Sequence, residues 1–167
     1  MNISNELGLA SVYSTLIDKY GLETIVYGIG ELSPDAVREL RKRDVKMILG
    51  AASLRDKSAR ELIHLPRQLD AAGIPFAFRS GSGPGSRQLP LHVAYAVRRG
   101  WSEAAALEAM TIDAARIFGI DERVGSLEAK KDADLVFLNG SPFRMTSRVT
   151  RVMIDGKFVF QEGGDAQ

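Results

Sequence analysis

The 167-residue sequence contains no cysteine. That excludes disulfides and thiolate metal ligands and leaves the redox compartment open. Histidine is scarce as well: His64 and His92 are the only two, and they stand far apart in the chain. They show no metal-ligand spacing, whereas a catalytic zinc usually takes three protein ligands. No apolar run reaches the ~18 residues that a membrane-spanning helix requires. The opening MNISNELGLASVY lacks a basic stretch followed by an apolar one, so no signal peptide is expected and a cytoplasmic location is the default. Neither sign of charge dominates, with 22 Lys and Arg against 21 Asp and Glu. A balance of +1 argues against nucleic acid or an anionic membrane as partner. Internal repeats and low-complexity segments are absent.

What is present reads as an α/β protein. Hydrophobic residues make up 45% of the chain and charged residues 26%, proportions that suit a soluble domain with a real core. Leu9, Val12, Leu16 and Ile17 recur at helical spacing, and Gly21 suits the end of that helix. Residues 23–27 (ETIVY) predict a strand. Ser33 followed by Pro34 predicts a helix start, with the helix running over 36–43. A second strand is expected at 45–49, a helix at 62–72 with Pro66 in its first turn and Gly73 as its stop, and a third strand at 74–78. Strand, helix and strand alternating at this spacing imply a parallel sheet covered by helices. Three such strands cannot close a barrel, and their edges need cover.

A glycine-rich loop, SGSGPGS at 80–86, then leads into a helix at 89–99 capped by Gly100. Further helices are expected at 103–110, with Ser102 before it, and at 114–118, started by Thr111 and Asp113 and stopped by Gly119. The tail changes to strands at 134–138, 149–154 and 157–160. Asn139-Gly140 and Asp155-Gly156 are the turns, the latter a strong hairpin signal between apolar runs.

From Leu89 to Phe160 the sequence resembles the C-terminal portion of the amidohydrolase superfamily, with imidazolonepropionase-like and prolidase-like members the nearest in pattern. The landmarks are Thr111-Ile112-Asp113-Ala114-Ala115, Gly119-Ile120, Arg123-Val124-Gly125-Ser126-Leu127-Glu128, Asp132-Ala133-Asp134-Leu135-Val136 and the Asp155-Gly156 hairpin. Residues 73–79 with Arg87-Gln88-Leu89-Pro90 resemble the last barrel strand and its loop. The resemblance implies a (β/α) TIM-type barrel, of which this chain carries the last strands and helices, followed by a small C-terminal β-sandwich or hairpin segment. The corresponding domains are 1–120 and 121–167. It also implies hydrolysis of carbon–nitrogen bonds by a metal, usually zinc, held at the carboxyl ends of the strands.

The family's ligands do not carry over. Its strand Ile-Pro-x-Ala-x-x-Thr-Asp matches residues 74–81, which places Gly81 at the position of the metal-binding, proton-handling aspartate. The histidine expected on the sixth strand corresponds to Tyr27, followed by Gly28. No His-x-His occurs. No catalytic residue, metal ligand or cofactor is therefore expected in this chain, although full-length relatives hold zinc. More than half of the barrel is expected to lie outside it.

The remaining candidates are Arg79, Ser80, Arg87 and His92. The loop amides with Arg79 and Arg87 suit a small anion, but the loop has neither the P-loop nor the dinucleotide spacing and better suits a plain flexible connection. Arg79 at a strand end is costly to bury and is expected to pair. His92 suits either a substrate contact or a packed helix position. Asp113, Asp132 and Asp134 read as structural. The resulting expectation is an amidohydrolase-related hydrolase that is inactive as an isolated chain. The alternative is a non-catalytic remnant or partner-dependent binding subunit. Either would associate with copies of itself or with a complementing chain that covers the open sheet edges.

Overall fold

The computed structural model describes residues 25–28, 34–42, 45–49, 65–79 and 89–164. The chain divides into two compact units, residues 1–89 and 90–167. The helix expected at 9–20 lies outside the described residues, as does the 80–88 loop.

The first unit alternates strand and helix: β1 (Ile25–Gly28), α1 (Pro34–Lys42), β2 (Lys46–Leu49), α2 (Leu65–Ala72) and β3 (Phe76–Phe78). The strands form one parallel sheet in the order β1-β2-β3. Parallel neighbours need a crossover, and α1 and α2 supply the two. Pro34 opens α1, where a missing amide hydrogen costs nothing. Pro66 sits in the first turn of α2, and Gly73 ends that helix with φ +66°, a conformation open to glycine. The central strand is apolar and buried except at Lys46, with Met47, Ile48 and Leu49 at most 5% exposed. A continuous apolar run is what a parallel strand covered on both faces demands. Leu69 of α2, with Ile74, Phe76 and Ala77 around β3, completes this core. The rings of Phe76 and Phe78 meet edge to face at 5.7 Å.

The second unit begins with three helices, α3 (Leu89–Arg98), α4 (Glu103–Met110) and α5 (Ile112–Phe118). Alanines at 94, 96, 106, 109 and 115 are buried, and Trp101 is buried beside them in sequence. The Ser102 hydroxyl accepts the Ala105 N–H, as an N-cap should. Thr111 stands between α4 and α5, as its position suggests. Its side chain makes no cap bond to α5; its hydroxyl donates backward to the Leu107 carbonyl at 2.7 Å. Thr111 thus closes α4 with its hydroxyl and opens α5 with its carbonyl, which accepts the Ala115 N–H at 3.0 Å. Gly119 ends α5 in the left-handed conformation, its N–H reaching the Ala115 and Arg116 carbonyls.

β4 (Leu135–Leu138), β5 (Val149–Ile154) and β6 (Lys157–Gln161) follow as an antiparallel sheet in sequence order. Asp155 (φ +49°) and Gly156 (φ +75°) form the tight β5–β6 turn. The Asp134 carboxylate accepts the Asp155 N–H at 2.7 Å, and Gly156 donates to the Ala133 carbonyl at 3.2 Å. Every residue of β6 is exposed, together with Val136, Phe137 and Leu138 of β4. Among the described residues the tail thus supplies one sheet layer.

Candidate functional site

In α/β proteins with parallel strands, ligands sit at the carboxyl ends of those strands. Register defines that edge here. Gly28 of β1 stands opposite Leu49 of β2, and Leu49 stands opposite Phe78 of β3. One residue inside, Tyr27 stands opposite Ile48, which stands opposite Ala77. Beyond the row, Arg79 donates its backbone N–H to the Leu49 carbonyl at 2.9 Å. The structure therefore brings Tyr27 and Arg79 to one edge of one sheet.

Arg79 is exposed at the strand end, where its guanidinium keeps its hydration. Ser80, Gly81 and Arg87 lie outside the described residues. His92 belongs to the second unit, half-buried on α3. Asp113 pairs with Arg116 at 3.0 Å, and Asp132 with Arg123 at 2.6 Å. With Asp134 on the hairpin amide, all three acids hold local structure.

Among the described residues the zinc implied by the resemblance finds no matching donor set. The terminal row of the sheet is Gly, Leu and Phe, none with a side-chain ligand atom. Among the described residues, no group of three or more His, Cys, Asp or Glu residues is placed to hold a metal ion.

One polar cluster escapes the sequence reading. Lys131, its side chain only 10% exposed, donates to the Ser126 hydroxyl at 2.5 Å and lies 3.4 Å from Glu128. Ser126 donates in turn to Glu128 at 2.6 Å. This hydrogen bond, with the Lys131 charge second, holds the Glu128 carboxyl below its ordinary value. Spacing gave no signal, because residues 126–131 form neither helix nor strand. The cluster pins the connection between α5 and β4.

A sequence model of the amidohydrolase family matches residues 13–159. The chain belongs to that family. It is 43% identical over 77 residues to an imidazolonepropionase of Geobacillus kaustophilus, covering 44% of this chain and 18% of that protein. It is 28% identical over 172 aligned positions to the imidazolonepropionase of Geobacillus thermodenitrificans, covering 91% of this chain and 40% of that protein. An adenosine deaminase from Xanthomonas campestris, solved with bound zinc, shares the fold with a TM-score of 0.62 at 19% identity, covering 90% of this chain and 43% of the neighbour. The amidohydrolase thus spans less than half the length of these relatives. Among its described residues no helix is long and apolar enough to cross a membrane.

Proposed function

We propose that this amidohydrolase chain supplies the last strands and trailing helices of a (β/α) barrel, plus part of the flanking sandwich, of a hydrolase acting on carbon–nitrogen bonds. Likeness to two imidazolonepropionases favours a small cyclic amide bearing a carboxylate as substrate. In this reading the chain does not perform the hydrolysis by itself. The carrying observation is the sheet-end row of Gly28, Leu49 and Phe78, which offers no metal ligand where the family's chemistry takes place. The ligands then come from strands on another chain or segment. This chain contributes walls and charge: Arg79 at the sheet edge, with Ser80 and Arg87 after it in sequence, is proposed to bind the anionic part of the substrate. A cytoplasmic location belongs to the same reading.

The second sheet favours a partner-dependent role. Val136, Ile154 and Phe160 are 59%, 53% and 46% exposed, a density of apolar surface that marks an interface. A complementing chain or another copy of this one covers it.

The test is zinc content after dialysis, solution mass, and hydrolysis of imidazolone propionate by the chain alone and mixed with a segment carrying the family's His-x-His strand. The expected result is no retained zinc and no turnover alone, with turnover on mixing. Near-stoichiometric zinc and turnover by the chain alone overturn the proposal. Association without turnover on mixing selects the non-catalytic, partner-dependent role.

A further inference from the structure

Two residue pairs in the second unit, Asn139-Gly140 and Asp155-Gly156, carry the same latent chemistry. A glycine amide nitrogen, unhindered by a Cβ on its own residue, attacks the preceding side-chain carbonyl carbon and closes a five-membered succinimide. Sequence does not separate the two pairs, but their hydrogen bonds do. The Gly156 N–H is committed to the Ala133 carbonyl at 3.2 Å, so its nitrogen is held away from attack. Among the described residues the Gly140 N–H donates to no acceptor. Gly140 is exposed, so solvent base reaches that hydrogen. The electrophile is prepared as well: the Asn139 Oδ1 accepts the Arg148 N–H at 2.9 Å, which draws electron density from Cγ.

We propose that Asn139 is a site of spontaneous deamidation in the folded protein, and that Asp155 is protected from the parallel isomerisation. Hydroxide takes the Gly140 amide proton, and the nitrogen bonds to Asn139 Cγ. The Cγ–Nδ2 bond breaks and ammonia leaves, its third hydrogen returned by water. Water then opens the ring. Cleavage at Cγ leaves aspartate; cleavage at the main-chain carbonyl carbon leaves isoaspartate, with the backbone routed through Cβ and Cγ. Aspartate keeps the Arg148 N–H as a charge-assisted bond. Isoaspartate lengthens the backbone by one methylene and dislocates the Asn139 N–H from the Arg148 carbonyl, now 3.2 Å away, at the point where β4 and β5 are joined. Asn2 and Asn5 precede Ile3 and Glu6, whose side chains hinder the same attack.

The full chain is incubated at mildly alkaline pH, natively and in urea, and mapped by peptide mass spectrometry with isoaspartyl detection. Asn139 is expected to convert natively at close to its urea rate. Asp155 is expected to isomerise about tenfold more slowly than in urea, the factor a single hydrogen bond commonly supplies. Gly140→Ala is expected to suppress conversion in both states; its Cβ meets only the Ser147 side chain, which can move. The proposal fails if folding slows Asn139 as much as Asp155, if Asp155 reacts natively at its urea rate, or if Gly140→Ala converts as fast as the parent.

Discussion

Gly125 has no room for a side chain. Its φ is +96°, and a Cβ built there falls 2.9 Å from both the Ala115 Cβ and the Ile112 Cα, and 3.2 Å from the Thr111 carbonyl oxygen. These neighbours are main chain or the first carbon of a buried alanine, so none can swing aside. Gly125→Ala therefore carries two penalties. Positive φ costs an L-residue about 1–2 kcal/mol, and forcing atoms into a packed site adds about 1–3 kcal/mol. Gly119 is the internal control: its φ is +66°, yet nothing lies within 4 Å of its Cβ position. Gly119→Ala should carry only the backbone penalty. Both replacements reduce unfolded-chain entropy equally, so the difference between them isolates the steric part, about 1–3 kcal/mol. Trp101 is the only tryptophan and is 4% exposed in the same unit, so its fluorescence reports urea unfolding there. Gly125→Ala is expected to lower the midpoint by about 0.3–3 M beyond Gly119→Ala, for a urea slope of about 1–3 kcal/mol per M. Equal midpoints would refute the close approach of the 120–126 connection to α5.

Lys130 sits at φ +77° and is exposed; Lys130→Gly should relieve the left-handed strain, less the entropy glycine adds to the unfolded chain, for a net gain of about 0.5–1 kcal/mol by urea unfolding. Leu69 is fully buried over the parallel sheet; Leu69→Ala should cost about 2–5 kcal/mol, read as lost amide protection in β2 by hydrogen exchange. Glu128 is held below its ordinary value of 4.5 by Ser126 and then Lys131. A depressed folded-state value adds stability above the ordinary value that is lost as pH falls through the depressed one. Glu128→Gln should thus lower the urea midpoint slightly at pH 7, and the gap to the parent should close as pH falls below 4.5 and the carboxyl takes up its proton; a constant gap would contradict the assignment.

Legibility in this sequence followed the range of the physics involved. Gly73, Gly119 and the Asp155-Gly156 pair announced their roles because a helix stop or a tight turn is decided by positive φ at one or two residues. The parallel sheet was legible because β2 must be apolar throughout to be covered on both faces. Thr111 was legible as the residue that opens α5, but the direction of its hydroxyl was not, since at a helix junction it has two backbone partners and only the geometry of the break selects Leu107. The strained Lys130 and the Lys131–Ser126–Glu128 cluster carried no pattern, since irregular backbone has no period.

The site obeyed the same distinction in a sharper form. Its expected position at the end of β3 rests on strand, loop and helix order alone. Its composition depends on which residues three separate strands bring to one edge, and that is a matter of register between segments about 20 residues apart in sequence. A shift of one residue along β1 would put Tyr27, not Gly28, in line with Leu49 and Phe78, and would turn every side chain of that strand to the other face. Either register leaves the edge without a carboxylate or imidazole, because residues 25–28, 46–49 and 76–79 contain none. The lack of ligands along these strand ends is therefore a property of the residues themselves. It is why, in the proposed reading, the metal ligands come from outside these strands.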